Sequence, residues 1–186
     1  TKVKELFTDW RNTNKPAPAV DYGTPEKRGL EAKIVVQPGA SFELDLDWMY
    51  PYDNTADVAD VRKRDTVRRI ALGILNRRLT QIAQGPNPPF QRAAVSRNNV
   101  YHSAEIAELA VAAKPEKWRD ALIAAETLRR QAVEFGVRQD EVDEAVTEGR
   151  TGRKASVAGA STRRSPQLAS SLASIAGTGP DIMEST

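Results

Sequence analysis

The sequence contains no cysteine and a single histidine, His102, among its 186 residues. Without cysteine the chain has no disulfide framework, no thiol nucleophile and no Cys-ligated zinc site. One histidine excludes, within this chain, the catalytic zinc sites that take two or three histidine ligands. No apolar run approaches the roughly 20 residues that a membrane-spanning helix needs. These absences remove several classes of enzyme and membrane protein but leave the function open.

The composition is that of one domain with tails. Hydrophobic residues make up 40% of the chain and charged residues 28%, and 27 basic against 25 acidic side chains give a net charge of +2. The chain begins at Thr1 within an apparent helix end, Val3–Phe7, and we expect an internal piece of a longer protein. We predict the end of a preceding segment and a Pro-rich linker over 1–28, an α+β domain over 29–176 and a disordered tail over 177–186.

Two strands are predicted near the start of the domain. Glu31–Val36 is rich in β-branched residues, and Phe42–Met49 alternates apolar with acidic side chains, which is typical of a strand with one wet face. Pro38-Gly39 between them is a strong turn signal. We therefore expect a hairpin, or two neighbouring strands of one sheet.

The rest of the domain alternates helices with one or two strands. Apolar residues at helical spacing predict a helix from about Ala56 to Gln84, capped by Asn54 or Thr55. Weaker alternation over Val95–Ala113 favours a hairpin around Asn98–Asn99 or one kinked strand. Two more helices follow, one from Pro115 to Gly136 and one from about Gln139 that decays after Gly149. This order predicts an α+β, two-layer fold with a mainly antiparallel sheet and helices packed on one face.

Several residues and clusters in the sequence are candidate functional sites. His102 has no catalytic partner within the local sequence, and we interpret it as structural or exposed. The carboxylates around Trp48 could hold a hard cation, but their spacing does not match an EF-hand loop and the wet face of a strand is favoured. The members of this acidic cluster are Asp45, Asp47, Asp53 and Asp57.

Arginines and lysine between Arg62 and Arg78 could contact phosphates. Acidic residues lie among them and the same helix has an apolar face, so a solvated helix face is favoured and no nucleic-acid partner is predicted. Tyr50, Tyr52 and Phe90 lie beside prolines at element ends, where aromatic rings either line a peptide-binding rim or fill the core.

The order of several short blocks resembles the pitrilysin/insulinase family of zinc metallopeptidases. The blocks are Leu6–Trp10, the Pro-rich linker, Leu75–Leu79, Gly85–Phe90 and Glu134–Val137 with Glu141. The resemblance covers about Lys2 to Leu172 and implies a unit of a clamshell peptidase, in which homologous α+β units enclose a chamber.

The family's catalytic unit carries His-x-x-Glu-His, with zinc on the two histidines and a distal glutamate. That motif is absent here, so the resemblance implies a non-catalytic domain with no catalytic or metal-binding residue, while zinc belongs to the parent enzyme. Some members use an arginine and, seven residues later, a tyrosine to hold substrate. Ala83 and Phe90 occupy those positions, which leaves Gln84 and Phe90 as the candidate substrate-binding residues.

The resemblance also implies partners: the zinc-binding catalytic domain of the same protein and a peptide substrate, which this chain would help to enclose. Bacterial relatives are often exported, which favours the periplasm over the cytoplasm, although the compartment is not fixed by the sequence. The alternative is a stand-alone protein-interaction module without a peptidase role, using its mixed-charge helices to bind a partner.

Overall fold

A computed structural model describes residues 2–9, 20–53, 55, 58–100 and 102–178. A three-stranded sheet carries the long helices that follow or separate its strands. The described elements are α1 Lys2–Phe7, β1 Glu43–Pro51, α2 Ala59–Ala83, β2 Arg92–Val100, β3 Ala104–Ala112, a 3₁₀ turn at Pro115–Lys117, α3 Trp118–Phe135, α4 Gln139–Ala158, a second 3₁₀ turn at Ala160–Thr162 and α5 Ser165–Thr178. No helix in these ranges is both long and apolar enough to cross a bilayer.

The sheet is antiparallel throughout, with β3 in the centre and β1 and β2 on its two sides. Leu46 of β1 and Val95 of β2 both lie opposite Leu109 of β3, so one row of apolar side chains crosses all three strands. Alternation along each strand repeats such rows on the same face. The predicted α+β class with a mainly antiparallel sheet is confirmed.

The core lies between that face and the helices. Leu109 and Val111 are completely buried, and Leu79 of α2 is 1% exposed. Ala121 and Ala125 of α3 are also fully buried. Two alanines one turn apart let α3 approach the sheet closely, because their side chains occupy little space between the two backbones. The helices therefore cover one face of the sheet, and the opposite face stays outside the core.

The predicted strand at Glu31–Val36 is wrong, and so is its hairpin with the next segment. This segment has no regular secondary structure, and β1 pairs with β3 instead. The turn itself forms, with the Ala40 N–H donating to the Gln37 carbonyl over 3.2 Å. The alternating β1 matches the alternating β3, whereas Ile34, Val35 and Val36 form an unbroken apolar run that suits a strand buried on both faces. Those three side chains are 75–92% exposed.

The long helix was predicted correctly, but its start was not. It begins at Ala59 after Val58, with no side-chain cap. Thr55 is not the cap, because its N–H bonds the carboxylate of Asp53 over 3.0 Å in a local turn. Asn54 lies outside the described residues.

The second half of the domain forms the predicted hairpin and helices with shifted limits. The hairpin turn follows Val100 rather than Asn98–Asn99, and His102 occupies it with a φ of 60°. The predicted decay of the last helix after Gly149 is wrong, since α4 continues to Ala158. A glycine in a helix costs only about 1 kcal/mol, which the other residues of a long helix can offset. The proposed domain limits stay predictions, and most of the predicted tail, 179–186, lies outside the described residues.

Replacing Phe90 by alanine tests the core. The ring is 2% exposed, so we expect Phe90→Ala to lower the free energy of unfolding by about 3–5 kcal/mol. Phe135→Ala is the matched control, because that ring is 76% exposed and its loss is expected to cost about 0.5 kcal/mol or less. Urea unfolding measures both values, and equal losses in the two variants would contradict the assigned core.

Candidate functional site

The two candidate substrate-binding residues lie in different environments. Gln84 follows the last residue of α2 and is exposed, with its N–H bonded to the Thr80 carbonyl over 3.0 Å. Phe90 ends the Gly85–Phe90 loop and lies in the core. The exposed Gln84 side chain is accessible to a ligand, whereas the Phe90 ring is buried and anchors the end of the loop in the core. Their assignment to substrate binding stays a prediction.

The outer face of the sheet lies opposite the helices and is open in the described part of the chain. Its β1 column consists of Glu43, Asp45 and Asp47, at alternate positions. Glu108 on β3 lies directly opposite Asp47. Asp45 lies opposite the small side chain of Ala110. The outer-face residues of the two rows are Asp45, Ala110 and Ala94, then Asp47, Glu108 and Ser96.

This outer face is strongly acidic. Its compensating cation among the residues just described is Arg92, whose guanidinium lies 3.4 Å from the Glu43 carboxylate and is itself 76% exposed. Partial burial, then the neighbouring Glu108 and Glu43 carboxylates, raises the pKa of Asp45 above its ordinary value. Like charges directly opposite each other weaken a sheet. The fold therefore keeps an unfavourable arrangement of charge on an exposed surface.

The two sides of the sheet end differently. On β2, the side-chain amide of Asn76 donates to the Val95 carbonyl over 3.0 Å and accepts from the Val95 N–H over 2.8 Å. Asn76 thus occupies the two backbone groups through which Val95 could bind an added strand. Among the described residues, β1 has one partner strand, which is β3. The other edge of β1 is open in the described part of the chain.

The aromatic residues at the far end of the sheet are engaged with charged or aromatic neighbours. The Arg97 guanidinium lies 5.6 Å from the Tyr50 ring and forms a two-pronged ion pair with Glu105. Tyr52 stacks on His102 with ring centres 4.8 Å apart. His102 is therefore held in an aromatic contact, in keeping with a structural role.

Most of the basic face of α2 is committed to carboxylates. Arg64 bonds Asp53 over 2.7 Å, and Arg77 bonds Glu144 and Glu148 of α4 over 2.6 and 2.5 Å. A phosphate would have to displace these acids. Asp53 of the acidic cluster is thus paired, Asp57 lies outside the described residues, and the described residues contain no group of three or more potential ligands that could hold a metal ion.

The best-formed ion pair joins α2 to the start of α4. Arg78 donates two hydrogen bonds to Glu141, of 2.7 and 2.5 Å, and Glu141 also accepts from the Arg138 N–H over 2.9 Å. The Arg78 hydrogen bonds, together with the Arg138 N–H and charge, overcome partial burial and lower the pKa of Glu141 to about 2. The pair lines a cleft of about 470 Å³ between the two helices.

Comparison with known proteins places this arrangement in a fold family. No protein-family model and no curated protein matches the chain. Among solved structures, a predicted insulinase family protease from Yersinia pestis matches 98% of the chain, with a TM-score of 0.71 and 15% identity. The periplasmic protease PqqL from Escherichia coli matches 75% of it, with a TM-score of 0.66 and 18% identity. The chain has the fold of an insulinase-type protease domain.

The matched structures are longer than this chain. The insulinase-type fold seen here spans 40% of the Yersinia protein and 16% of PqqL. A separate structure of the first half of PqqL matches 72% of this chain, with a TM-score of 0.62 and 17% identity. The match spans 28% of that structure's own chain. The resemblance expected from the sequence is confirmed at the level of the fold.

Sequence reasoning missed the roles of Asn76, Arg78 and Glu141. Leu75–Leu79 resembles a block of the family, but its pattern does not indicate which residue each side chain contacts. The sequence gives one partial indication. Asn76 is an uncharged polar residue between the apolar Leu75 and Leu79, which favours a half-buried position with a hydrogen-bonding role.

Replacing Asn76 by alanine tests the protection of β2. The change frees both Val95 backbone groups, so we expect a loss of about 1–3 kcal/mol in the free energy of unfolding and faster aggregation. Asn87→Ala, in the exposed part of the Gly85–Phe90 loop, is the control. Urea unfolding and light scattering give the two readouts. Indistinguishable variants would show that Asn76 does not protect the edge.

Replacing Glu141 by glutamine tests the α2–α4 ion pair through its pH dependence. A lowered carboxyl pKa stabilises the folded state above the ordinary value of 4.5, and this stabilisation is lost as the pH falls towards 2. We expect Glu141→Gln to cost about 2–3 kcal/mol near neutral pH, with the difference from the parent shrinking in acid. The exposed Glu134→Gln is the control for unfolding measured across this range. A cost that does not change with pH would contradict the assignment.

Proposed function

We propose that this chain is a non-catalytic domain of a zinc-dependent metalloendopeptidase and forms part of the wall of its peptide chamber. The proposal is carried by one combination: an insulinase-type fold together with a sequence that has one histidine and hence no His-x-x-Glu-His. Zinc chemistry would then belong to a catalytic domain of the same protein, which is the proposed partner.

The open side of the sheet supports a role as a wall. The helices and their ion pairs cover one face of the sheet. The described residues leave the opposite face and the outer edge of β1 uncovered. An extended peptide binds a free strand edge through main-chain hydrogen bonds, with little demand on its sequence. Gln84 and Phe90 remain proposed contributors, Gln84 by direct contact and Phe90 by holding the Gly85–Phe90 loop.

The compartment belongs to the same proposal. PqqL is a periplasmic protease, and a periplasmic location for this chain follows if the shared fold reflects a shared setting. The absence of cysteine is compatible with either compartment, so it does not bear on the choice.

A stand-alone interaction module is the second candidate. It is favoured by the exposed apolar run Ile34–Val36, which is suited to burial against another protein. The two functions differ in what the complete reading frame encodes, since only the first requires a zinc-binding unit in the same protein.

The function is tested by peptidase assays on this chain and on its complete reading frame. We expect no cleavage of a quenched fluorescent peptide by the purified 186-residue chain, with or without zinc, because it cannot assemble two histidine ligands. We expect a His-x-x-Glu-His elsewhere in the frame and zinc-dependent cleavage by the full protein that is lost when residues 20–178 are deleted.

The control is the full protein with its His-x-x-Glu-His glutamate changed to glutamine, which should fold but not cleave. Zinc-dependent cleavage by the isolated chain would refute the non-catalytic assignment. A reading frame without the motif would favour the interaction module.

A further inference from the structure

The carboxylates of the outer face form a regular column. Glu43, Asp45 and Asp47 occur at every second residue of β1, so they project from one face about 6.6 Å apart. Glu108 extends the column onto β3 beside Asp47. Ser96 bonds Glu108 over 3.2 Å but supplies no charge. A chain with a net charge of +2 thus carries a concentrated negative charge on this one surface.

The edge of β1 that faces away from β3, which has no partner strand among the described residues, runs along the same column. Each carboxylate therefore stands beside backbone groups that an added strand could bind. A peptide paired there would be extended, and its alternate side chains would face the same way as the carboxylates. The spacing of the acids and the spacing of alternate side chains in a strand are the same.

We propose that the free edge of β1 and its carboxylate column bind extended peptide segments with lysine or arginine at alternate positions. The inference rests on the proposed function as a chamber wall and specifies its substrate class. Opposite charge speeds the encounter and favours one partner over others, while the strand edge supplies the sequence-independent attachment. The lysine or arginine side chains of the bound peptide would also relieve the repulsion between the Asp47 and Glu108 carboxylates.

A competing occupant is present in the chain itself. Residues 149–178 contain no acidic residue and carry Arg150, Arg153, Lys154, Arg163 and Arg164. The same end of a second copy could cover the column. The strand edge favours a peptide, because almost all of residues 149–178 form helices and 3₁₀ turns rather than extended backbone.

The test measures peptide binding to the 186-residue chain by fluorescence anisotropy at low and moderate salt. The probes are three labelled peptides: one with lysine at every second residue, one of the same composition with its lysines consecutive, and one with glutamine in place of lysine. We expect the alternating lysine peptide to bind about tenfold more tightly than the other two, with a preference that weakens as salt rises.

The variant Asp45→Asn/Asp47→Asn/Glu108→Gln should remove that preference and keep the bond from Ser96. A variant with the same change in net charge, Glu116→Gln/Asp120→Asn/Glu134→Gln, alters exposed acids on the helical side and should retain it. Urea unfolding of both variants verifies that each is folded.

The outcomes separate this inference from the function on which it rests. Equal binding of lysine and glutamine peptides would refute the charge preference and leave the chamber-wall function standing. Equal effects of the two triple variants would assign the binding to net charge and overturn the proposal. A dimer in sedimentation experiments that is abolished by the outer-face variant, without peptide preference, would show that a second copy covers the face. The zinc-dependent assay of the complete protein decides the proposed function independently.

Discussion

The middle of α2 connects the parts of this domain to one another. Within one turn, Asn76 holds the edge strand β2, Arg77 and Arg78 hold α4, and Leu79 enters the core. These residues follow one another directly, and successive residues of a helix point in directions about 100° apart, so one turn of α2 can contact β2, α4 and the core at once. The helix can therefore serve as a shared support only if each of these positions has the right chemistry. A change at one of them uncouples a specific element rather than the whole helix layer.

That support also determines where charge is left over. Three arginines of α2, namely Arg64, Arg77 and Arg78, are paired with Asp53, Glu141, Glu144 and Glu148. Those acids are thereby neutralised, whereas the acids of the outer face lie on the other side of the sheet from these cations. They are Glu43, Asp45, Asp47 and Glu108. The near-zero net charge of the sequence conceals this separation. Long-range attraction depends on the local distribution of charge, so the outer face can select a cationic partner although the whole chain is slightly basic.

Periodic patterns predicted the elements that carry the fold, and contacts between distant residues account for what they missed. The alternation over Phe42–Met49 and the helical stripe over Ala56–Gln84 each reflect burial on one side, which is a local property. The run Ile34–Val36 has high β propensity, yet whether it becomes a strand depends on a neighbour that can bury both of its faces, and local sequence does not contain that information. Similarly, the position of Phe90 beside prolines is compatible with a ring at a peptide-binding rim or with a ring in the hydrophobic core. Its ring is buried because it joins the core formed by the sheet and the helices, which brings together residues distant in sequence.

The two edges of the sheet are protected against strand-edge aggregation in different ways, and the difference has opposite consequences for peptide binding. An unprotected strand edge invites aggregation, and proteins block it with side chains or with charge. On β2 the block is chemical, because Asn76 uses the backbone groups of Val95 and no peptide can pair there without displacing it. On β1 the block is electrostatic, because the column of carboxylates repels another copy of the same strand but leaves the backbone groups available. A purely electrostatic block is selective, since a segment that brings complementary positive charge removes the barrier as it binds. The acids that keep β1 from pairing with itself are thus the same acids that make it a specific strand acceptor.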